Sequence, residues 1–190
     1  MSVDLLTGPW ALLIMSLLVL GDAFFVVVPG EVAVTALGAV ASTSGDPPLW
    51  TVIACAGAAA AVGDAACYVI GRTVGLERWR WMRAPRIRQA LDAARVRLEA
   101  GTATVLFTAR FVPFARLAIN LVAGASRIHP VRYLPLVSVA AFGWAAYQAS
   151  VGAIVAVLVP GGPVIGILVS IAVAVALGVV IDTASRRFRR

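Results

Sequence analysis

Lysine is absent from the 190 residues, histidine occurs once, at His129, and cysteine twice, at Cys55 and Cys67. So few histidines and cysteines, with no CxxC pair, leave nothing spaced like a zinc, haem or iron–sulfur ligand set, and no metal or cofactor is expected. Cys55 and Cys67 share one apolar segment and would lie roughly 18 Å apart along a helix at about 1.5 Å per residue, which excludes a disulfide between them. Charge is scarce as well: 13% of residues are charged against 61% hydrophobic, and the mean hydropathy is +0.95. These values exclude an ordinary soluble enzyme.

What charge there is has one dominant sign. Sixteen arginines against nine acids give a net charge of +7. Nucleic acid could account for that balance, but the placement of the arginines points to a membrane. A spanning helix needs about 20 apolar residues, and the stretches at roughly 5–21, 22–41, 49–71, 102–125 and 131–184 approach or exceed this length. The last is too long for one crossing, and Val159-Pro160-Gly161-Gly162-Pro163 divides it into helices at 131–159 and 163–184. The first stretch lacks the basic flank of a cleavable signal peptide and reads as a retained first helix. The expected fold is therefore an all-α integral membrane protein of one domain, 1–190.

Arginine sets the orientation. Residues 72–101 hold eight arginines against Glu77, Asp92 and Glu99, and the C-terminal RRFRR adds four. By the positive-inside rule both regions are cytoplasmic, and so is the loop with Arg127 and Arg132. Residues 102–125 then leave one cytoplasmic loop and arrive at another. They are too short for two crossings and contain Pro113 near their middle, so a re-entrant hairpin is expected, its tip lined by protein or a wet cavity. Residues 22–41, broken at Pro29-Gly30, make the matching hairpin from the other face. Two broken segments in corresponding halves indicate an inverted repeat with the site where the tips meet. Between them, 76–100 reads as an amphipathic helix in the headgroup plane, with Ile87, Leu91, Ala94 and Leu98 on one face and Trp79 and Trp81 as upstream anchors.

Ionisable residues inside the broken segments are Asp22 and Glu31 in the first and Arg110 and Arg116 in the second, with Asp64 inside the span 49–71. A charge at mid-bilayer costs about 2.5–3.5 kcal/mol on insertion scales, so each marks a candidate site and needs a partner. The arginines of one segment are expected across from the carboxylates of the other; the alternative is that Glu31 with Arg116, or Asp22 with Arg110, form fixed salt bridges that only hold the segments together. An arginine fork can exchange a carboxylate for a lipid phosphate, which would be a transport step. Substrate binding falls to Arg110, Arg116 and Glu31, and proton coupling or gating to Glu31, Asp22 and Asp64. Asp64, read as one helical face away from Gly71, suits a structural role equally. Asn120 is expected to bond locally and His129 to sit in a loop without a metal.

These residues form a pattern that resembles the DedA family, also called the SNARE-associated or VTT-domain family. The pattern comprises Asp22 followed by Pro29-Gly30-Glu31, then Gly63, Asp64, Tyr68, Gly71, Arg72 and Gly75. It continues with Phe107, Arg110, Phe111, Pro113, Arg116, Ala123 and Gly124, and ends with Gly143-Trp144 and Gly152. The resemblance covers roughly residues 20–155 and departs at Ala23, where an Asn often follows the first acid. It implies two opposed re-entrant hairpins and lipid transport in the bacterial cytoplasmic membrane, with the carrier undecaprenyl phosphate returned to the inner leaflet under proton motive force. The functional residues it implies are Glu31, Arg110 and Arg116.

The leading expectation is a non-enzymatic, multi-pass transporter of a polyprenyl phosphate with its C-terminus in the cytoplasm. Its partners would be that lipid and anionic phospholipid headgroups, with no nucleic acid, and homo-oligomerisation stays open. A non-selective phospholipid scramblase and a proton-coupled ion or drug exporter are the alternatives. A lipid phosphatase would need a nucleophile with a base, and the one histidine lies outside both hairpins.

Overall fold

Prolines and glycines set the helix boundaries. The computed structural model describes residues 9–25, 29–74, 85, 89, 92, 96, 106, 110 and 115–158. Within them α1 spans Pro9–Asp22, α2 Gly30–Ser44, α3 Leu49–Val74, α4 Ala115–Ala125 and α5 Pro130–Leu158, and no strand occurs among the described residues. Pro9 and Pro130 stand at first helical positions, where a missing N–H costs nothing. Gly45 ends α2 in the left-handed region (φ 76°), its N–H donating to the Ala41 carbonyl at 3.1 Å.

Length separates two kinds of helix. α3 (26 residues) and α5 (29 residues) are long and apolar enough to cross a membrane. Among the described residues α1 has 14, α2 has 15 and α4 has 11, so their described parts reach at most about 22 Å, against the roughly 30 Å hydrocarbon layer. The surface is also apolar where water would oppose it. Trp10, Leu13, Ile14 and Leu17 are exposed on α1, Trp50, Val62 and Val69 on α3, and Val139, Ile154, Val157 and Leu158 on α5. Faces of this kind belong against lipid.

The first broken segment differs from its sequence reading in its bounds. Residues 22–41 do not hold two limbs: α1 supplies the first limb and packs on α2, and α2 continues to Ser44. The helix stops at Asp22 because Ala23, Phe24 and Phe25 turn, their N–H groups bonding the carbonyls of Leu20 and Gly21. The described part of the stretch 5–21 thus packs as one arm against α2, and Pro29 caps that second arm. In the second segment Leu106 is helical, Arg110 lies in a turn, and helix resumes at Ala115. Pro113 lies outside the described residues, as does the last helix, 163–184. Of the amphipathic helix, Pro85, Gln89, Asp92 and Val96 are helical and exposed on one face; Ile87, Leu91, Ala94 and Leu98 lie outside the described residues.

Contacts divide the chain into two units, Met1–Ala60 with Ala141–Arg190, and Ala61–Ala140. Each contains one seam where a short helix meets a long one through reciprocal glycines. In the first unit, a Cβ on Gly38 of α2 would lie 2.8 Å from the Ala149 Cα of α5, and one on Gly152 would overlap the Thr35 carbonyl oxygen. In the second, a Cβ on Gly71 of α3 would lie 2.9 Å from the Leu121 Cα of α4, and one on Gly124 would overlap the Tyr68 carbonyl oxygen. In every case the glycine meets the residue three before its partner glycine. The backbones approach this closely because no side chain intervenes, as at small-residue interfaces between membrane helices, where Cα–H···O contacts add to the packing.

Gly124→Ala and Gly152→Ala are each expected to lower stability by about 1–3 kcal/mol through overpacking, against a helix-propensity gain of about 1 kcal/mol. The obstructing atoms are backbone and cannot rotate away. Thermal unfolding in detergent checks this; a midpoint raised in either variant would contradict the seam.

Candidate functional site

Spacing on α3 builds the site. Asp64, Tyr68 and Gly71 stand at i, i+4 and i+7, which puts the carboxylate on the helical face that meets α4 at the glycine seam. α4 presents Arg116 and Asn120, also one turn apart, and Arg110 comes from the turn before α4. Tyr133 arrives from the first turns of α5. All belong to the second unit. Asp64 and Tyr133 are fully buried, and Arg110 and Asn120 nearly so.

Asp64 is the centre of this cluster. Arg110 Nη1 donates to its Oδ2. Its Oδ1 is ion-paired with Arg116 Nε at 3.0 Å and accepts from Asn120 Nδ2 at 2.8 Å. The Tyr133 hydroxyl has one proton and two acceptors in reach, Asn120 Oδ1 at 3.0 Å and the Asp64 carbonyl oxygen at 3.2 Å. This contact fixes the Asn120 amide with its NH₂ toward the carboxylate. Three side chains thus bring donors to one carboxylate, as a buried anion requires. Asp64 offsets one of the two guanidinium charges it touches.

An aromatic column continues from the cluster. The Tyr133 ring stacks on Tyr68 at 4.3 Å between centroids and 16° between planes. The Tyr68 hydroxyl donates to the Ile128 carbonyl and accepts from Arg72 Nη1 at 2.8 Å. Ile119, Val122, Ala123 and Val137 pack around these rings in a single apolar cluster. Charged groups are therefore held beside an apolar shell, where leaving one without a partner is costly.

Three of the sequence-derived candidates meet within the second unit. Arg110, Arg116 and Asp64 come together, with Asp64 central, whereas sequence reasoning divided it evenly between structural and functional roles. It also placed Asp64 off the Gly71 face, although a spacing of seven is two helical turns and returns to the same face. Asn120 does not bond locally; its partners Asp64 and Tyr133 are 56 and 13 residues away. Asn120 and Tyr133 were missed as members of the site. Asp22 and Glu31 lie in the first unit. Asp22 closes α1, and a Cβ on Gly30 would lie 3.1 Å from the Asp22 Cβ. Glu31 is exposed in the first turn of α2. Both acids thus sit by the N-terminus of α2, the positive end of its dipole, with Pro29 and Gly30 forming the entry to that helix. Neither Cys55 nor Cys67 forms a disulfide. Among the described residues no three His, Cys, Asp or Glu side chains gather as a metal would need.

No curated protein and no solved structure matches the chain. A family model does: the VTT domain matches residues 28–154, an interval that contains α2 to α4, all but the last four residues of α5, and every member of the Asp64 cluster. That family is in general one of membrane transporters and not of enzymes. The two long apolar helices and the exposed apolar faces agree with membrane residence. On this match the chain belongs to the VTT-domain family, also known as the SNARE-associated or DedA family.

Proposed function

We propose that this protein carries a lipid with a phosphate headgroup across the bilayer, and that its substrate is a polyprenyl phosphate of the undecaprenyl-phosphate kind. The observation that carries the reading is the pair of guanidinium groups, Arg110 and Arg116, held on one carboxylate within an apolar helical shell. Arginine binds carboxylate and phosphate with the same planar fork. A headgroup phosphate can therefore be held on the same two forks together with Asp64, so that the buried carboxylate keeps its cations. The lipid tail stays in the membrane and needs no enclosed pocket.

The helix–turn–helix arms are proposed to be re-entrant hairpins. Arms too short to span support this, and the matching glycine seams of the two units support an inverted repeat. The acids of the first unit complete the mechanism: Glu31, with Asp22 beside the same helix end, gates the path or takes the proton that couples transport to a gradient. Arginine placement supports a multi-pass protein of the inner membrane with the C-terminus inside.

Reconstitution into liposomes with an assay of leaflet accessibility tests the reading. The wild type is expected to move polyprenyl phosphate much faster than phosphatidylcholine, with a response to a pH gradient that Glu31→Gln loses. Equal rates for all lipids would indicate a scramblase, and no lipid movement at all would leave an ion or drug exporter.

A further inference from the structure

We propose that the corner joining α4 to α5 is a separate binding site for the headgroup of an anionic phospholipid, formed by Arg72, Arg127 and Arg132. The proposal rests on the membrane reading but does not require transport.

Arg127 carries the first observation. It has φ 54° and occupies the left-handed position that ends α4: its N–H donates to the Gly124 carbonyl at 2.9 Å, and the Ile128 N–H reaches the Ala123 carbonyl at 3.1 Å. That hydrogen-bond pair favours glycine at this position. An arginine there is strained, and its side chain is exposed, with no ion pair or hydrogen bond among the described residues to offset the strain. A strained side chain of this kind is what a binding role would retain.

Arg72 carries the second. Its Nη1 is shared between the Tyr68 hydroxyl at 2.8 Å and the Ile128 carbonyl at 3.4 Å, and the guanidinium carbon lies 6.0 Å from the Tyr68 ring centroid. The cation is thereby fixed beside the 127–129 loop before any ligand arrives. Arg132, exposed in the first turn of α5, adds a third. His129 is occupied differently, its Nδ1 accepting from the Val131 N–H at 3.4 Å. No acidic residue occurs in 65–76 or in 111–135, so neither segment supplies a counter-charge.

The surroundings select a lipid over a free anion. Val69, Val131 and Leu134 are exposed around these arginines, at 52%, 75% and 41%, and offer the apolar contact that acyl chains need. Basic pockets between membrane helices on the inner side hold anionic headgroups by this combination of charge and apolar surface.

Native mass spectrometry of the full chain in neutral detergent, with equal phosphatidylglycerol and phosphatidylcholine, tests the site. The wild type is expected to retain phosphatidylglycerol preferentially. Arg127→Gly should cut that preference about five-fold, the factor one arginine near an anionic surface contributes, while its thermal midpoint stays level or rises because glycine fits the left-handed position. Arg132→Gln should cut it similarly. An unchanged preference in both variants, no preference in the wild type, or inorganic phosphate bound as tightly as the lipid would overturn the proposal. Retention is read without transport, so failure here leaves the carrier reading to the liposome assay.

Discussion

Asp64→Ala is expected to cost about 3–5 kcal/mol of stability, because it strips a buried pair of cations of their shared carboxylate. Arg110 Nη1, Arg116 Nε and Asn120 Nδ2 would each lose an acceptor beside the apolar shell around Tyr68 and Tyr133. Asp64→Asn should be nearly as harmful despite its matching shape. Its amide has one acceptor oxygen in place of two, and its NH₂ would face a donor. Unfolding of the purified protein in detergent measures both variants. A loss below about 1 kcal/mol for Asp64→Ala, as for an exposed ion pair, would show that Asp64 is not the anchor of the cluster.

Arg110→Ala and Arg116→Ala should each slow transport of polyprenyl phosphate by roughly ten- to hundred-fold. A hydrogen bond to a charged group is worth about 1.5–3 kcal/mol, and every 1.4 kcal/mol is about a factor of ten. Arg116→Lys separates charge from geometry. Lysine keeps the positive charge but binds as a point, without the planar fork that can hold Asp64 and a phosphate together. Its transport rate should therefore fall well below wild type while the protein still folds. Full transport by both alanine variants would remove the phosphate site, and full transport by Arg116→Lys would reduce the requirement to charge alone.

The sequence carried the architecture further than the wiring of the site. Apolar length identified α3 and α5, and Pro29-Gly30 marked the start of α2, because these features are local. The end of α1 at Asp22 was harder to read: no proline or glycine between Trp10 and Leu20 breaks the apolar run, and the turn that follows is made of Ala23 and two phenylalanines. The two arginines were recognised from the energetic cost of intramembrane charge. Asp64 was recognised on the same ground but not paired with them, since it is 46 residues from Arg110 and helical spacing reports only a face, not what packs on it. Applying that spacing to Asp64, Tyr68 and Gly71 would have placed the acid on the seam. Asn120 offered a quieter signal, being the only asparagine in the chain and one turn after Arg116. Tyr133 gave none, because an aromatic residue near the start of an apolar helix reads equally well as an interface anchor.

Labelling at two single cysteines bears most directly on the path of the chain through the bilayer. In a background lacking Cys55 and Cys67, Thr102→Cys and Ser126→Cys should both react with a membrane-impermeant maleimide from the same side, the one that also exposes the C-terminal arginines. Reaction of the two positions from opposite sides would contradict a turning path for Arg110 and Arg116, and the transport mechanism built on it.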